Sequence, residues 1–169
     1  MKKLVALLLT LALCLSAAAA LANEPVAKEE LKIAGEALHE ILSYACEAFK
    51  GKNLMAARHI EPIEEVVDDL INTLRENHLE RLTSGECSIE VDNIFLNLLG
   101  DIERISDVCS NIGLAIIARV NPEIEATEHI YVTHLHQGGD PYFNKAYARA
   151  HETYYTMLSD QQTAETASE

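Results

Sequence analysis

The chain has 169 residues, of which 27 are acidic and 13 are basic, so its formal net charge at pH 7 is -14. A surface of this sign repels nucleic acid and anionic lipid headgroups, and it attracts metal cations or basic partners. The apolar content of 49% is sufficient for one folded domain with its own core. Nucleic-acid binding is therefore excluded, and no second domain is required.

Residues 1–22 have the features of a secretory signal peptide. Lys2 and Lys3 precede a long apolar stretch, and Ala20-Leu21-Ala22 fits a small-residue cleavage site. We therefore expect an exported protein, periplasmic or otherwise extracytoplasmic. The alternative is that residues 4–21 remain as a membrane anchor, because their length approaches the ~20 residues of a membrane span.

Helical periodicity dominates the segment 23–120, which predicts three long helices near residues 28–50, 54–82 and 88–120. Short turns at Gly51 and Gly85 force neighbouring helices to run antiparallel, so the fold class is all-α, an up-down-up three-helix bundle. Pro62 predicts a kink or a fresh helical start within the second helix. The first helix is expected to bury Leu31, Ala34, Leu38, Leu42, Ala45 and Phe49, and Cys46 and Cys109 to be buried as small apolar residues.

A short helical extension is predicted over 121–160. One helix is expected near 123–136, and Asp140 and Pro141 are a suitable cap and first turn for a last helix. An aromatic stripe on that helix predicts packing against the bundle, and it consists of Phe143, Tyr147, Ala150, Tyr154 and Leu158. Residues 161–169 are polar and are expected to be disordered.

Two acidic pairs with i,i+4 spacing point to chemistry, namely Glu64 with Asp68 and Glu103 with Asp107. Carboxylates four residues apart lie one above the other on a helix, which costs roughly 0.2 to 0.5 kcal/mol per pair unless a cation lies between them. Pairs on adjacent antiparallel helices can converge on one groove, where their oxygens suit hard or borderline metal ions. The sequence therefore predicts a metal site.

The alternative is a solvated acidic face with Arg58 and Arg104 as partners. Other candidate ligands are weaker. Glu36-Ala37-Leu38-His39 is one Glu-x-x-His element, whereas di-iron carboxylate bundles need two. The histidines at 129, 134, 136 and 151 are expected on the surface, and no motif of nucleophilic catalysis is found.

The acidic motifs resemble a known family. Glu64-Glu-Val-Val-Asp-Asp-Leu70 and Glu103-Arg-Ile-Ser-Asp107 are similar to the paired E-x-x-x-D signatures of PhoU-type three-helix repeats. The stretch Ile60-Glu-Pro-Ile-Glu-Glu-Val-Val-Asp-Asp-Leu70, together with Gly85-Glu-Cys-Ser88 and Gly139-Asp-Pro-Tyr-Phe143, resembles the C-terminal PhoU-like region of bacterial Na/Pi cotransporter family proteins. The similarity covers about residues 28–158.

The resemblance implies a non-enzymatic accessory or regulatory module of sodium-dependent phosphate transport. It implies that Glu64, Asp68, Glu103 and Asp107 bind metal, which could be iron, manganese, zinc or magnesium, and that Asn111 matches the trailing asparagine of the motif. The implied partners are a phosphate transporter or a second copy of the chain, with membrane contact only through an uncleaved N-terminal segment.

This chain departs from the family pattern at three points. Val108 stands where a histidine usually follows the aspartate, only one repeat is present, and no transport domain accompanies it. These departures favour an alternative function, an exported helical interaction protein that has lost the metal site. A di-metal redox or hydrolytic enzyme is a third hypothesis.

Overall fold

The computed structural model describes residues 25–87, 89–125 and 127–166. These residues form helices and no strand, which confirms the all-α class. The helices are α1 (Pro25–Gly51), α2 (Leu54–Ser84), α3 (Ile89–Val120), α4 (Pro122–Glu125), α5 (Glu128–His136) and α6 (Pro141–Thr166).

Helices α1, α2 and α3 pack pairwise against one another as an antiparallel bundle, and α6 lies across α2 with a smaller contact to α1. The largest fully buried apolar side chains come from all three bundle helices, and they are Phe95, Ile41, Ile60, Leu70, Ile71, Leu74 and Leu99. Phe143, Ala150, Tyr154 and Leu158 of the predicted aromatic stripe are buried as well. The extension thus completes the core.

The ends of α2 follow from local chemistry. The Asn53 side chain accepts hydrogen bonds from the amides of Met55 at 3.0 Å and Ala56 at 3.3 Å, which caps the first turn. Gly85 ends the helix with φ of 80°, a conformation that glycine adopts without steric cost. Between them α2 continues through Pro62 without a fresh start, because this proline is buried in the core and packing offsets the ~3 kcal/mol penalty of an internal proline.

The buried face of α1 agrees with the predicted one only in part. Ala34 and Ala45 are buried as predicted, and Leu31 and Leu38 are partly buried against the core. Phe49 is 73% exposed, and Leu42 and Cys46 are also exposed. The core face of α1 also uses small residues and isoleucine that were not predicted, namely Ala27, Ile33, Ala37, Ile41 and Ala48. The prediction was wrong at Leu42 and Phe49 because it favoured large side chains, whereas α1 is flanked by α2, α3 and α6, and alanines permit that close approach. Cys109 is buried as predicted.

The C-terminal part of the chain corrects two further expectations. Helix α6 extends to Thr166, although disorder was predicted from Gln161 onward. This segment contains neither glycine nor proline, so nothing local ends the helix there. The single helix expected near 123–136 is divided into α4 and α5. Cys46 and Cys109 are free thiols, and the predicted signal peptide lies outside the described residues.

In the described part of the chain, no helix has both the length and the apolar character needed to cross a membrane.

Candidate metal site

An open groove lies where the first half of α2, the second half of α3 and the end of α5 meet. We call it the acidic groove, and its lining residues are Glu61, Glu64, Glu65, Asp68, Asp107, Ser110, Asn111, Leu114, Val132 and His136. Five of these side chains are carboxylates. The groove therefore collects negative charge from two helices that are separate in sequence.

The acids of α2 share a face because of helical spacing. Glu61 and Glu65 are four residues apart, as are Glu64 and Asp68, so the four carboxylates occupy neighbouring positions over two turns. The apolar residues between them, including Ile63 and Val67, are buried in the core. This arrangement orients the acids along the edge of the buried face, toward α3 and α5.

Three of the four acids predicted from the sequence come together in the groove. Carboxylate oxygens of Glu64, Asp68 and Asp107 all lie within 4.8 Å of one another, which is close enough for one ion to contact all three. Glu103 does not belong to this group. Its carboxylate accepts a hydrogen bond from Arg75 Nη2 at 2.5 Å, in an ion pair between α2 and α3.

The electrostatics of the groove favour bound cations. Burial raises the pKa of Glu64 from 4.5 to about 8, and the charges of Glu61, Asp68 and other neighbouring carboxylates add to the effect. Burial, followed by the charges of Glu103 and Asp107, raises the pKa of Asp68 from 3.8 to about 6. Both shifts mean that the folded chain without metal holds protons here more tightly than an exposed carboxylate does.

The arginines considered as alternative partners of the acidic face are engaged elsewhere. Arg58 forms an ion pair with Asp140 at 2.9 Å, and Arg104 lies 3.7 Å from Asp101. Within residues 25–87, 89–125 and 127–166, no lysine or arginine forms an ion pair with the carboxylates of the three-acid group. The prediction of a solvated face neutralised by Arg58 and Arg104 therefore does not fit the contacts.

One oxygen in the groove has no hydrogen-bond partner in the described structure. Asp68 Oδ1 is buried, and no donor of the described residues reaches it. A buried carboxylate oxygen without a donor is costly, and a metal ion would satisfy it. This orphaned oxygen and the all-oxygen donor set of the three acids fit a hard or borderline metal ion.

Sequence reasoning missed two groove residues, Glu61 and His136. Glu61 lies three residues before Glu64, a spacing that places both on one helix face, but the prediction rested on i,i+4 pairs alone. His136 lies 75 positions further along the chain, and its Nε2 atom is 3.1 Å from Glu61 Oε1. Only the packing of α5 against α2 brings these two side chains together, and no local sequence signal marks it.

Three other positions that the sequence singled out, namely Asn111, Val108 and the Glu-x-x-His element, differ in their relation to the groove. Asn111 lines the groove, as its motif position implied. Val108 is 53% exposed and does not line the groove, so its side chain is directed elsewhere. Glu36 and His39 of the Glu-x-x-His element are separate from the groove on α1, where both contact solvent.

Fold and site together define a small all-α bundle with a cation-attracting groove between two helices. Comparison with family models gives a match to the PhoU domain over residues 31–116, which comprise most of α1, all of α2 and nearly all of α3. The chain belongs to the PhoU domain family. No curated protein and no solved structure matches it.

Proposed function

We propose that this protein is an accessory or regulatory module of phosphate transport that binds metal through its acidic groove and is not itself a transporter. Membership of the PhoU family supports a regulatory, non-enzymatic role related to phosphate transport. The observation that carries the metal assignment is the convergence of Glu64, Asp68 and Asp107 around a buried oxygen that lacks a donor.

In this proposal Glu64, Asp68 and Asp107 supply the oxygen ligands, and Glu103 stands beside them in its ion pair with Arg75. The ion would be iron, manganese, zinc or magnesium, which are compatible with carboxylate ligands to different degrees. When bound, it would offset part of the negative charge of the groove and offer open coordination positions to an anion. A chain of net charge -14 could then attract phosphate at this point, whereas the metal-free groove would repel it.

We propose a location outside the cytoplasm, which the predicted signal peptide or anchor supports, and a sodium-dependent phosphate transporter as the partner, which the resemblance to Na/Pi cotransporter proteins supports. A second copy of the chain is the other proposed partner, since PhoU proteins carry two repeats and this chain has one.

The test is metal binding by the purified protein after treatment with a chelator. We expect Mn²⁺ or Zn²⁺ to raise the melting temperature, and Asp68→Asn and Asp107→Asn to weaken binding by about 10-fold or more, because each removes a charged ligand. Asp101→Asn is the matched control, since Asp101 is exposed on α3 and lies outside the groove. No thermal shift in the wild type, or an equal shift in Asp68→Asn, would contradict the proposal.

Phosphate gives an independent readout of the same groove. We expect calorimetry to detect phosphate binding to the metal-loaded protein and none to the chelator-treated protein. Binding to the metal-free protein would show that the metal does not create the phosphate site.

A further inference from the structure

We propose that Glu61, Glu64 and His136 form a second metal position in the acidic groove, with a nitrogen ligand, for a borderline transition ion such as Zn²⁺. This inference rests on the proposed function, because it adds a position to the same groove. Glu64 belongs to both ligand groups and would join them. His136 lies on α5, outside the segment that matches the PhoU domain, so the added ligand comes from the C-terminal extension.

The geometry of the three side chains suits a single ion. One ligand atom from each residue lies within 4.8 Å of the other two. Glu61 is only 6% exposed, and the Ser110 hydroxyl donates a hydrogen bond to its Oε2 atom. That contact fixes the carboxylate and leaves Oε1 directed toward His136 Nε2 at 3.1 Å.

The second nitrogen of the imidazole is oriented by a residue outside the ligand set. His136 Nδ1 lies 3.2 Å from Glu65 Oε2. In the tautomer with the proton on Nδ1, the ring donates to Glu65 and turns the Nε2 lone pair toward Glu61. A lone pair facing a carboxylate is repulsive unless a proton or a metal ion lies between them. A carboxylate behind a histidine that binds metal through its other nitrogen is a common arrangement in metalloproteins.

The polypeptide after α5 holds His136 in place. Gly138 adopts φ of 81°, which reverses the chain directly after the helix, and the Asn144 side chain donates to its carbonyl at 3.0 Å. The Phe143 ring lies 5.6 Å from the His136 ring, between centroids. The ring is therefore positioned by the start of α6 as well as by α5, which gives a binding side chain the rigid support that it needs.

An imidazole ligand changes which ions the groove prefers. Carboxylates alone suit Mg²⁺, Ca²⁺ and Mn²⁺, whereas imidazole suits zinc, copper, iron and nickel. The Glu61, Glu64 and His136 position should therefore distinguish Zn²⁺ from Mg²⁺, and the Glu64, Asp68 and Asp107 position should do so less.

The experiment measures Zn²⁺ and Mg²⁺ binding to the full chain and to His136→Gln. We expect two Zn²⁺ equivalents in the wild type, a loss of Zn²⁺ affinity of about 10-fold or more at one of them in His136→Gln, and Mg²⁺ binding unchanged within about twofold. His129→Gln is the matched control, because it is the same substitution at an exposed position of α5. Cu²⁺ loaded into the wild type and into His129→Gln should show nitrogen hyperfine splitting in its electron paramagnetic resonance spectrum, whereas Cu²⁺ loaded into His136→Gln should not.

The outcomes separate this inference from the proposed function. One Zn²⁺ equivalent that Asp107→Asn removes and His136→Gln leaves intact would overturn the second position and leave the carboxylate site standing. Unchanged Zn²⁺ affinity in a folded but less stable His136→Gln would mean that the histidine only forms ion pairs. Loss of Zn²⁺ in His136→Gln with no effect of Asp107→Asn would support the second position and overturn the carboxylate site. No binding of any ion by the wild type would overturn both.

Discussion

The two ends of the three-helix bundle treat buried charge in opposite ways. At one end, which we call the paired end, Glu30 of α1 is 1% exposed and Arg81 of α2 donates to both of its carboxylate oxygens, at 3.0 and 2.5 Å. Asn77 adds a third hydrogen bond at 3.1 Å. At the other end, the acidic groove gathers five carboxylates, and no lysine or arginine of the described residues pairs with its three-acid group.

The contrast separates buried charges that the fold itself compensates from buried charges that it leaves without a basic partner. A buried acid that serves the fold needs a built-in donor, because an uncompensated buried charge costs several kcal/mol. The paired end follows this rule, and His78 repeats it with Nε2 placed 3.0 Å from Asp92. The groove breaks the rule at Glu64 and Asp68, so its stability depends on protons or on a ligand supplied from solution.

The largest expected loss of stability comes from a substitution that breaks the ion pair at the paired end. Arg81→Met should destabilise the protein by about 3 to 5 kcal/mol, because Glu30 would be left buried without its cation. Urea unfolding followed by circular dichroism measures this change. The double variant Glu30→Met with Arg81→Met should recover most of the loss, since an apolar pair replaces the ion pair. A loss below about 1 kcal/mol in Arg81→Met would mean that water reaches Glu30 and that the paired end is not closed.

In the groove, a charged carboxylate should destabilise the metal-free protein, so its stability should fall as the pH rises. The folded-state pKa of Glu64, about 8, lies above its unfolded value of 4.5. Its favourable contribution is therefore complete below about pH 4.5 and is lost as the pH rises to 8. We expect metal-free protein to lose roughly 3 kcal/mol over this range, less than the full shift implies because the groove is partly open to water.

Glu64→Gln should remove most of this pH dependence and stabilise the metal-free protein at pH 8. Glu76→Gln, at an exposed position of α2, is the matched control and should leave the slope unchanged. Saturating Zn²⁺ should reduce the loss of stability in the wild type, because metal binds the deprotonated groove. A wild-type slope equal to that of Glu64→Gln would show that Glu64 is well solvated.

The sequence predicted those features of the bundle and of the groove that depend on helical periodicity. The three long helices, their antiparallel order and the convergence of Glu64, Asp68 and Asp107 all follow from i,i+4 spacing and short turns. Glu103 has the same spacing, yet it pairs with Arg75. The pairing of Glu103 with Arg75 depends on how α2 and α3 are aligned along their lengths, and periodicity does not specify that alignment.

The unpredicted parts depend on packing between distant segments. His136 reaches Glu61 only because the turn at Gly138 and the packing of α6 hold α5 against α2. Part of the alanine-rich face of α1, including Ala37 and Ala48, was missed for a related reason, since a shift of one position rotates a helix by ~100° and exchanges large for small side chains at the interface. Local patterns define which residues form helices, whereas contacts between helices select the face that each one buries.

The smallest expected effect tests how tightly the groove end is packed, with two glycines of α3. A Cβ atom on Gly113 would meet Ile60 Cδ1 at 3.0 Å and the Ala57 carbonyl oxygen at 3.2 Å, whereas Gly100 has no such neighbour within 4 Å. We expect Gly113→Ala to destabilise the protein by about 1 to 2 kcal/mol, because α3 must move away from α2 beside Glu61. Gly100→Ala should stabilise it by about 0.5 to 1 kcal/mol through helix propensity alone.

Thermal unfolding of both variants with and without Zn²⁺ gives a second readout, since a displaced α3 would carry Asp107 away from Glu64 and weaken the metal-induced shift in Gly113→Ala only. Equal effects of the two substitutions would mean that the α2 and α3 contact at the groove is loose, and that the carboxylate group is not held together by helix packing.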